Sequence, residues 1–107
     1  MVAGRDVPAV LLDDVKKYLD ITWNDVHTDA KTREYIVSGM IYLDGKLGEP
    51  ADYLAAGSPR SLLLEYVRYA RDGAMDIFET NYMHLILAMQ HERAVERYAK
   101  SADAAQQ

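Results

Sequence analysis

The stretch YIVSGMIYL at residues 35–43 decides the fold class, because in it only Ser38 is clearly polar. At helical spacing, two apolar stripes about 100° apart pass through it. The first stripe consists of Ile36, Met40, Leu43 and Leu47, and the second of Val26, Ala30, Val37 and Ile41. A helix that is apolar nearly all round is buried on several sides, either within its own domain or against neighbouring subunits. Both possibilities stay open for part of this surface.

The helix that contains this stretch is predicted to cover about residues 23–47. Thr22 and Asp25 have the spacing of a capping box at its start. Gly48, followed by Pro50, is typical of a helix end.

Two further helices are predicted on either side of it. Pro8 suits a first helical turn, and a short helix of about three turns follows with Leu11, Leu12, Val15 and Leu19 at helical spacing. Beyond a loop at residues 48–57, which we expect to hold Tyr53 or Leu54 against the bundle, Ser58 is the predicted cap of the third helix and Pro59 its first residue. Its apolar line consists of Leu63, Val67, Ala70, Ala74 and Ile77.

Gly73 weakens the middle of this last helical pattern, and the sequence leaves open whether the helix breaks or bends there. A further stripe consists of Phe78, Tyr82, Leu85, Met89 and Arg93. The helical pattern ends near Tyr98, and residues 99–107 form a tail predicted to be disordered in the free monomer. The sequence therefore predicts an all-α bundle of three to four helices, with one domain at 1–98 and a flexible C-terminal tail.

The composition excludes several classes of function. The 107 residues are half hydrophobic and carry a net charge of −5 without a basic patch, which argues against direct nucleic-acid binding as the main activity. Cysteine is absent, so disulfides and thiol chemistry are excluded. We find neither a secretory signal nor a membrane-spanning run, and expect a cytosolic protein.

The sequence shows no convincing catalytic or metal site. His84 and His91 share a helix face, but about 10.5 Å of rise separates them, too far for both to ligate one zinc ion. We expect these two and His27 to be solvated surface histidines. The carboxylate pairs are Asp13 with Asp14, Asp25 with Asp29 and Asp76 with Glu79. They lie near predicted helix N-termini, where negative charge is stabilising. No phosphate-binding loop or nucleophile motif occurs, so we expect neither enzymatic activity nor a cofactor.

Tyrosine supplies eight of the ten aromatic residues, and it suits surfaces that become buried on association. One candidate subunit interface is a flank of the second helix formed by Tyr35, Gly39 and Tyr42, where Gly39 permits close approach. The other is the charged face of the third helix around Arg68 and Asp72, which can pair along the helix. The alternative is that the tyrosines rim the protein's own core.

The order of short motifs resembles the phage head-tail connector family, the adaptor proteins of tailed phages and prophages. The resemblance is carried by VKKYL at 15–19, ITWND at 21–25, YLD at 42–44 with Gly48, DY at 52–53, LLLEYVRY at 62–69 and FETNY at 78–82. It spans about residues 7–93, and no single motif in it is specific.

This resemblance implies a non-catalytic protein that forms a homo-oligomeric ring beneath the portal protein. Such a ring continues the DNA channel, without sequence-specific DNA binding, and docks the next head-tail joining or stopper protein. The expected location is the virion, with assembly in the bacterial host cytoplasm. The alternative is a small helical regulator that binds one host protein, and a DNA-binding helical domain ranks third.

Overall fold

The computed structural model describes residues 6–105, and within them the chain is all-α, with four helices and no strand. The helices are α1 (Ala9–Tyr18), α2 (Val26–Leu47), α3 (Ser58–Arg71) and α4 (Met75–Ala105). The predicted small helical bundle is therefore confirmed.

The two ends of α2 show why it begins and ends where it does. Asp25 is its N-cap, and its Oδ2 accepts hydrogen bonds from the Thr28 backbone N–H at 3.0 Å and the Thr28 hydroxyl at 2.8 Å. The helix thus begins later than predicted, and Thr22 does not cap it. Gly48 ends it in the left-handed conformation at φ 78°, as its glycine suggested.

The first turn of α3 differs slightly from the expectation. Ser58 is its first helical residue, and Gly57, at φ 150°, takes the cap position without a side-chain hydrogen bond. Pro59 lies in the first turn, where its missing N–H costs nothing.

The helical pattern breaks at Gly73 between α3 and α4, which decides between the break and the bend that the sequence left open. Gly73 adopts φ 69°, and the Ala74 N–H donates to the Tyr69 carbonyl at 2.9 Å. Because the break changes the helical phase, Ile77 does not continue the apolar line of α3 and is 50% exposed. On α4 the stripe predicted to include Leu85 passes instead through Ile86, which is buried.

The core joins all four helices and the loop before α3. Its most deeply buried side chains are Leu11, Val15, Ile36, Met40, Leu43, Tyr53, Leu63, Val67, Phe78 and Ile86. The first α2 stripe is buried throughout. Tyr53, rather than Leu54, holds the loop in place, with its hydroxyl donating to Asp44 Oδ1 at 2.6 Å.

Helix α4 runs on to Ala105, through residues for which no regular structure was expected. Residues 98–101 are exposed, so they add little to the core. Disorder from residue 99 in the free monomer, and the domain boundary at 98, stay predictions. Residues 106–107 of the predicted tail lie outside the described residues.

Candidate functional site

The predicted flank of Tyr35, Gly39 and Tyr42 faces α3 of the same chain. A Cβ added to Gly39 would lie 2.6 Å from Leu63 Cδ1 and 2.9 Å from Tyr66 Cδ1. This corrects the role assigned to Gly39, because its close approach is to a helix of its own chain. Tyr35 and Tyr42 are half-buried at the edge of the core, and their contact with a second subunit stays a prediction.

An aromatic cluster, which the sequence analysis missed, forms where α2, α3 and α4 meet. Phe78 is fully buried, with ring centroids 5.1–6.3 Å from its neighbours. These neighbours are Tyr42, Tyr66, Tyr69 and Tyr82. Burial raises the pKa of Tyr42 and of Tyr66, so both are neutral at physiological pH. Local spacing could not have revealed this cluster, because its rings come from three helices.

Glu65 connects three helices through two tyrosine hydroxyls. Tyr18 of α1 donates to Oε1 and Tyr82 of α4 donates to Oε2, the latter at 2.8 Å. The bond to Glu65 raises the pKa of Tyr82, because the carboxylate favours the protonated phenol. This arrangement fixes helices relative to one another, and both hydroxyls act as donors.

Arg68 and Asp72 are exposed, as the second candidate interface requires. Their expected pairing is wrong, because Arg68 lies 3.4 Å from Glu65 one turn earlier and its guanidinium lies over the Tyr69 ring at 5.3 Å. Asp72 instead occupies the C-cap position of α3. The two residues line a shallow cleft of about 300 Å³ with Tyr69 and Ala74. Their role in subunit contact stays a prediction.

A polar contact that the sequence analysis did not foresee fastens α4 to the end of α2. Glu49 lies 2.7 Å from Arg93 and 2.8 Å from Arg97. Arg97 also donates to the Leu47 carbonyl at 3.0 Å, and Gln90 donates to the Lys46 carbonyl at 2.8 Å. Two carbonyls of the last turn of α2, which have no partner within the helix, are thus satisfied. The bond from Arg97 lowers the pKa of Glu49.

Three of the six carboxylates considered for chemistry have structural partners. Asp25 caps α2, and the hydrogen bond from the Thr28 hydroxyl lowers its pKa. Asp29 lies 2.9 Å from the buried Lys16, and Asp14 lies 2.9 Å from Arg60. These ion pairs connect α1 to α2 and to α3, which is a structural role.

The histidines lie at the surface. His27, His84 and His91 are all exposed, as expected. Among residues 6–105, no group of three or more His, Cys, Asp or Glu side chains could hold a metal ion. None of the helices in that same range combines the length and apolar character required to cross a bilayer.

Two apolar surfaces are only partly covered by the rest of the chain, and Val37 is the one half-buried residue among them. We call the first, formed by Val26, Ala30, Val37 and Ile41, the α2 outer stripe; Val26 is 81% exposed and Ile41 38%. We call the second the α4 outer stripe, formed by His84, Leu87, Ala88, His91, Val95 and Tyr98. On α4, Leu87, Val95 and Tyr98 are more than half exposed. The sequence had indicated the first surface and not the second.

No protein family model, no curated protein and no solved structure matches the chain.

Proposed function

We propose that this chain is a structural head-tail connector of a tailed phage or prophage. It forms a homo-oligomeric ring beneath the portal protein, continues the DNA channel and docks the next joining or stopper protein. It acts in the virion without catalysis or a cofactor, and DNA passes through the ring without sequence-specific contacts.

The observation that carries the proposal is the presence of two different exposed apolar surfaces on one small helical body. A ring requires two distinct complementary patches on each subunit, whereas a two-fold dimer requires one patch that meets itself. The α2 and α4 outer stripes satisfy the first requirement. The motif order across residues 7–93 supplies the phage context.

The size of the core also favours self-association. A chain of 107 residues gains only marginal stability from its own core, and large exposed apolar side chains add nothing to it until they are covered. Their burial between subunits contributes about 25 cal/mol for each Å² removed from water, less the cost of association.

The test uses the genome that encodes the chain and the portal protein found there. We expect a portal gene close by, and we expect purified portal particles to bind the chain as a ring seen by electron microscopy. A genome without a portal gene, or portal particles that leave the chain unbound, would contradict the connector role. A stable monomer or dimer that captures one host protein instead would support the regulator.

A further inference from the structure

The exposed stripes on α2 and α4 have similar lengths. From Val26 to Ile41 the α2 outer stripe rises about 22 Å, and from His84 to Tyr98 the α4 outer stripe rises about 21 Å, at about 1.5 Å per residue. The α4 stripe contains no Asp, Glu, Lys or Arg. A partner helix could therefore cover it without removing a carboxylate, ammonium or guanidinium group from water.

Arg33 and Glu34, both exposed, border the α2 outer stripe on opposite sides, and Glu92 borders the α4 outer stripe on one side. Arg33 and Glu92 are opposite in sign. Arg33 lies beside Val37 and Val26 on the α2 surface, and Glu92 lies beside Ala88 and Val95 on the α4 surface. Both are exposed, and neither has an ion-pair partner among residues 6–105. By contrast, the neighbouring Arg93 and Arg97 are already bound to Glu49.

From these observations we infer that the α4 outer stripe of one subunit packs on the α2 outer stripe of a second copy of this chain. The inference rests on the proposed self-assembly and names its contact surfaces. It places Arg33 of one copy on the same side of the contact as Glu92 of the other. Two helices packed at 8–10 Å, the usual interaxial distance, bring such bordering charges within reach of each other.

The competing occupant is a second α4, in a two-fold pair of α4 outer stripes. That arrangement covers one apolar surface and leaves the α2 outer stripe in water. It also closes on itself as a dimer, because the same patch is used by both partners. Packing of α4 on α2 covers both stripes and leaves a free stripe of each kind at the ends of any open chain. Further subunits can therefore add, and a ring forms where the angle between successive subunits closes.

The absence of cysteine makes cross-linking a direct test. Single cysteines are placed on the α2 stripe by Val37→Cys or Ile41→Cys, and on the α4 stripe by Leu87→Cys or Val95→Cys. The variants are mixed in pairs at high protein concentration and joined with a short bismaleimide. Val10→Cys is the matched control, since Val10 is 55% exposed and Leu87 56%, but Val10 lies on α1 outside both stripes.

We expect products that join an α2 cysteine to an α4 cysteine to exceed those that join like to like or include Val10→Cys by at least tenfold. Predominant α4-to-α4 products would overturn the inference while leaving self-association intact. Rings seen by electron microscopy without α2-to-α4 products would also overturn it, with the proposed function retained. Neither rings nor specific products would contradict both.

A second measurement uses charge. Leu87→Glu is expected to weaken self-association at least tenfold in sedimentation, whereas Val10→Glu leaves it unchanged. Both positions are exposed, so the melting temperature of the monomer stays the same in each variant. Equal self-association of the two variants would place the subunit contact away from α4.

Discussion

Helix α2 carries two apolar stripes of similar composition, but the first is buried and the second is only partly covered. The four residues of the first stripe, Ile36, Met40, Leu43 and Leu47, are at most 6% exposed. On the outer stripe Ile41 is 38% exposed and Val26 81%. Helical spacing thus identifies side chains that can be buried. It does not say which other element of the structure covers them. Within the chain, α1, α3 and α4 cover the first stripe and leave much of the outer stripe exposed.

The largest expected difference between the two kinds of surface is in monomer stability. Leu63→Ala removes a fully buried side chain and is expected to lower the free energy of unfolding by about 2–5 kcal/mol, with Val67→Ala and Met40→Ala also destabilising. Ile41→Ala on the outer stripe should change it by less than about 0.5 kcal/mol. Urea denaturation of dilute protein measures both. A large loss at Ile41 would show that the outer stripe belongs to the core.

Two glycines of α2 should respond in opposite ways when each is replaced by alanine. Gly39→Ala is expected to lower the free energy of unfolding by about 1–3 kcal/mol, because the new methyl group meets Leu63 and Tyr66 within 3 Å. Gly45 is also inside α2, but nothing lies within 4 Å of its added Cβ. Gly45→Ala should therefore stabilise the protein by about 0.5–1 kcal/mol through the helix propensity of alanine. We expect the melting temperature to fall in Gly39→Ala and to rise in Gly45→Ala. Shifts in the same direction would contradict the close contact of Gly39 with α3.

Two tyrosines provide a smaller contrast. Tyr53→Phe removes a hydroxyl that donates to Asp44, and we expect a loss of about 1–2 kcal/mol. The Tyr42 hydroxyl is buried without a hydrogen-bond partner among the described residues, so Tyr42→Phe should be neutral or slightly stabilising. Urea denaturation of the two variants measures both changes in the free energy of unfolding. Strong destabilisation by Tyr42→Phe would show that this hydroxyl has a partner in solution.

The smallest effect concerns acid. The pKa of Asp25 is lowered in the folded protein, so its contribution to stability is present above the ordinary aspartate value and is lost as pH falls through the lowered value. Below about pH 4 the melting temperature should fall, partly for this reason. Asn also caps helices but does not titrate, so Asp25→Asn should reduce the fall in melting temperature between pH 7 and pH 3. If the melting temperature of Asp25→Asn fell as much as that of the unchanged protein, Asp25 would not contribute to the loss of stability in acid.

The sequence allowed the fold class, the end of α2 and the buried stripe to be predicted, since each depends on local spacing or on a residue with a special conformation. It marked Gly73 as a weak point of the helical pattern without deciding between a break and a bend. It did not reveal the aromatic cluster around Phe78 or the contact of Glu49 with Arg93 and Arg97. Those contacts join residues far apart in the chain, and local periodicity carries no information about them. The role of Gly39 was misassigned for the same reason, because close approach of helices requires knowledge of which helix comes near.

We propose that the exposed stripes on α2 and α4 make this chain a subunit of a closed ring. The test is sedimentation velocity over a concentration series up to about 1 mM, because weak contacts have dissociation constants in this range. Electron microscopy then shows the shape of the largest species. We expect a transition from monomer to one larger species of fixed mass, seen as annular particles, and its loss in Leu87→Glu. A monomer at every concentration, or a dimer that grows no further, would contradict the proposed ring.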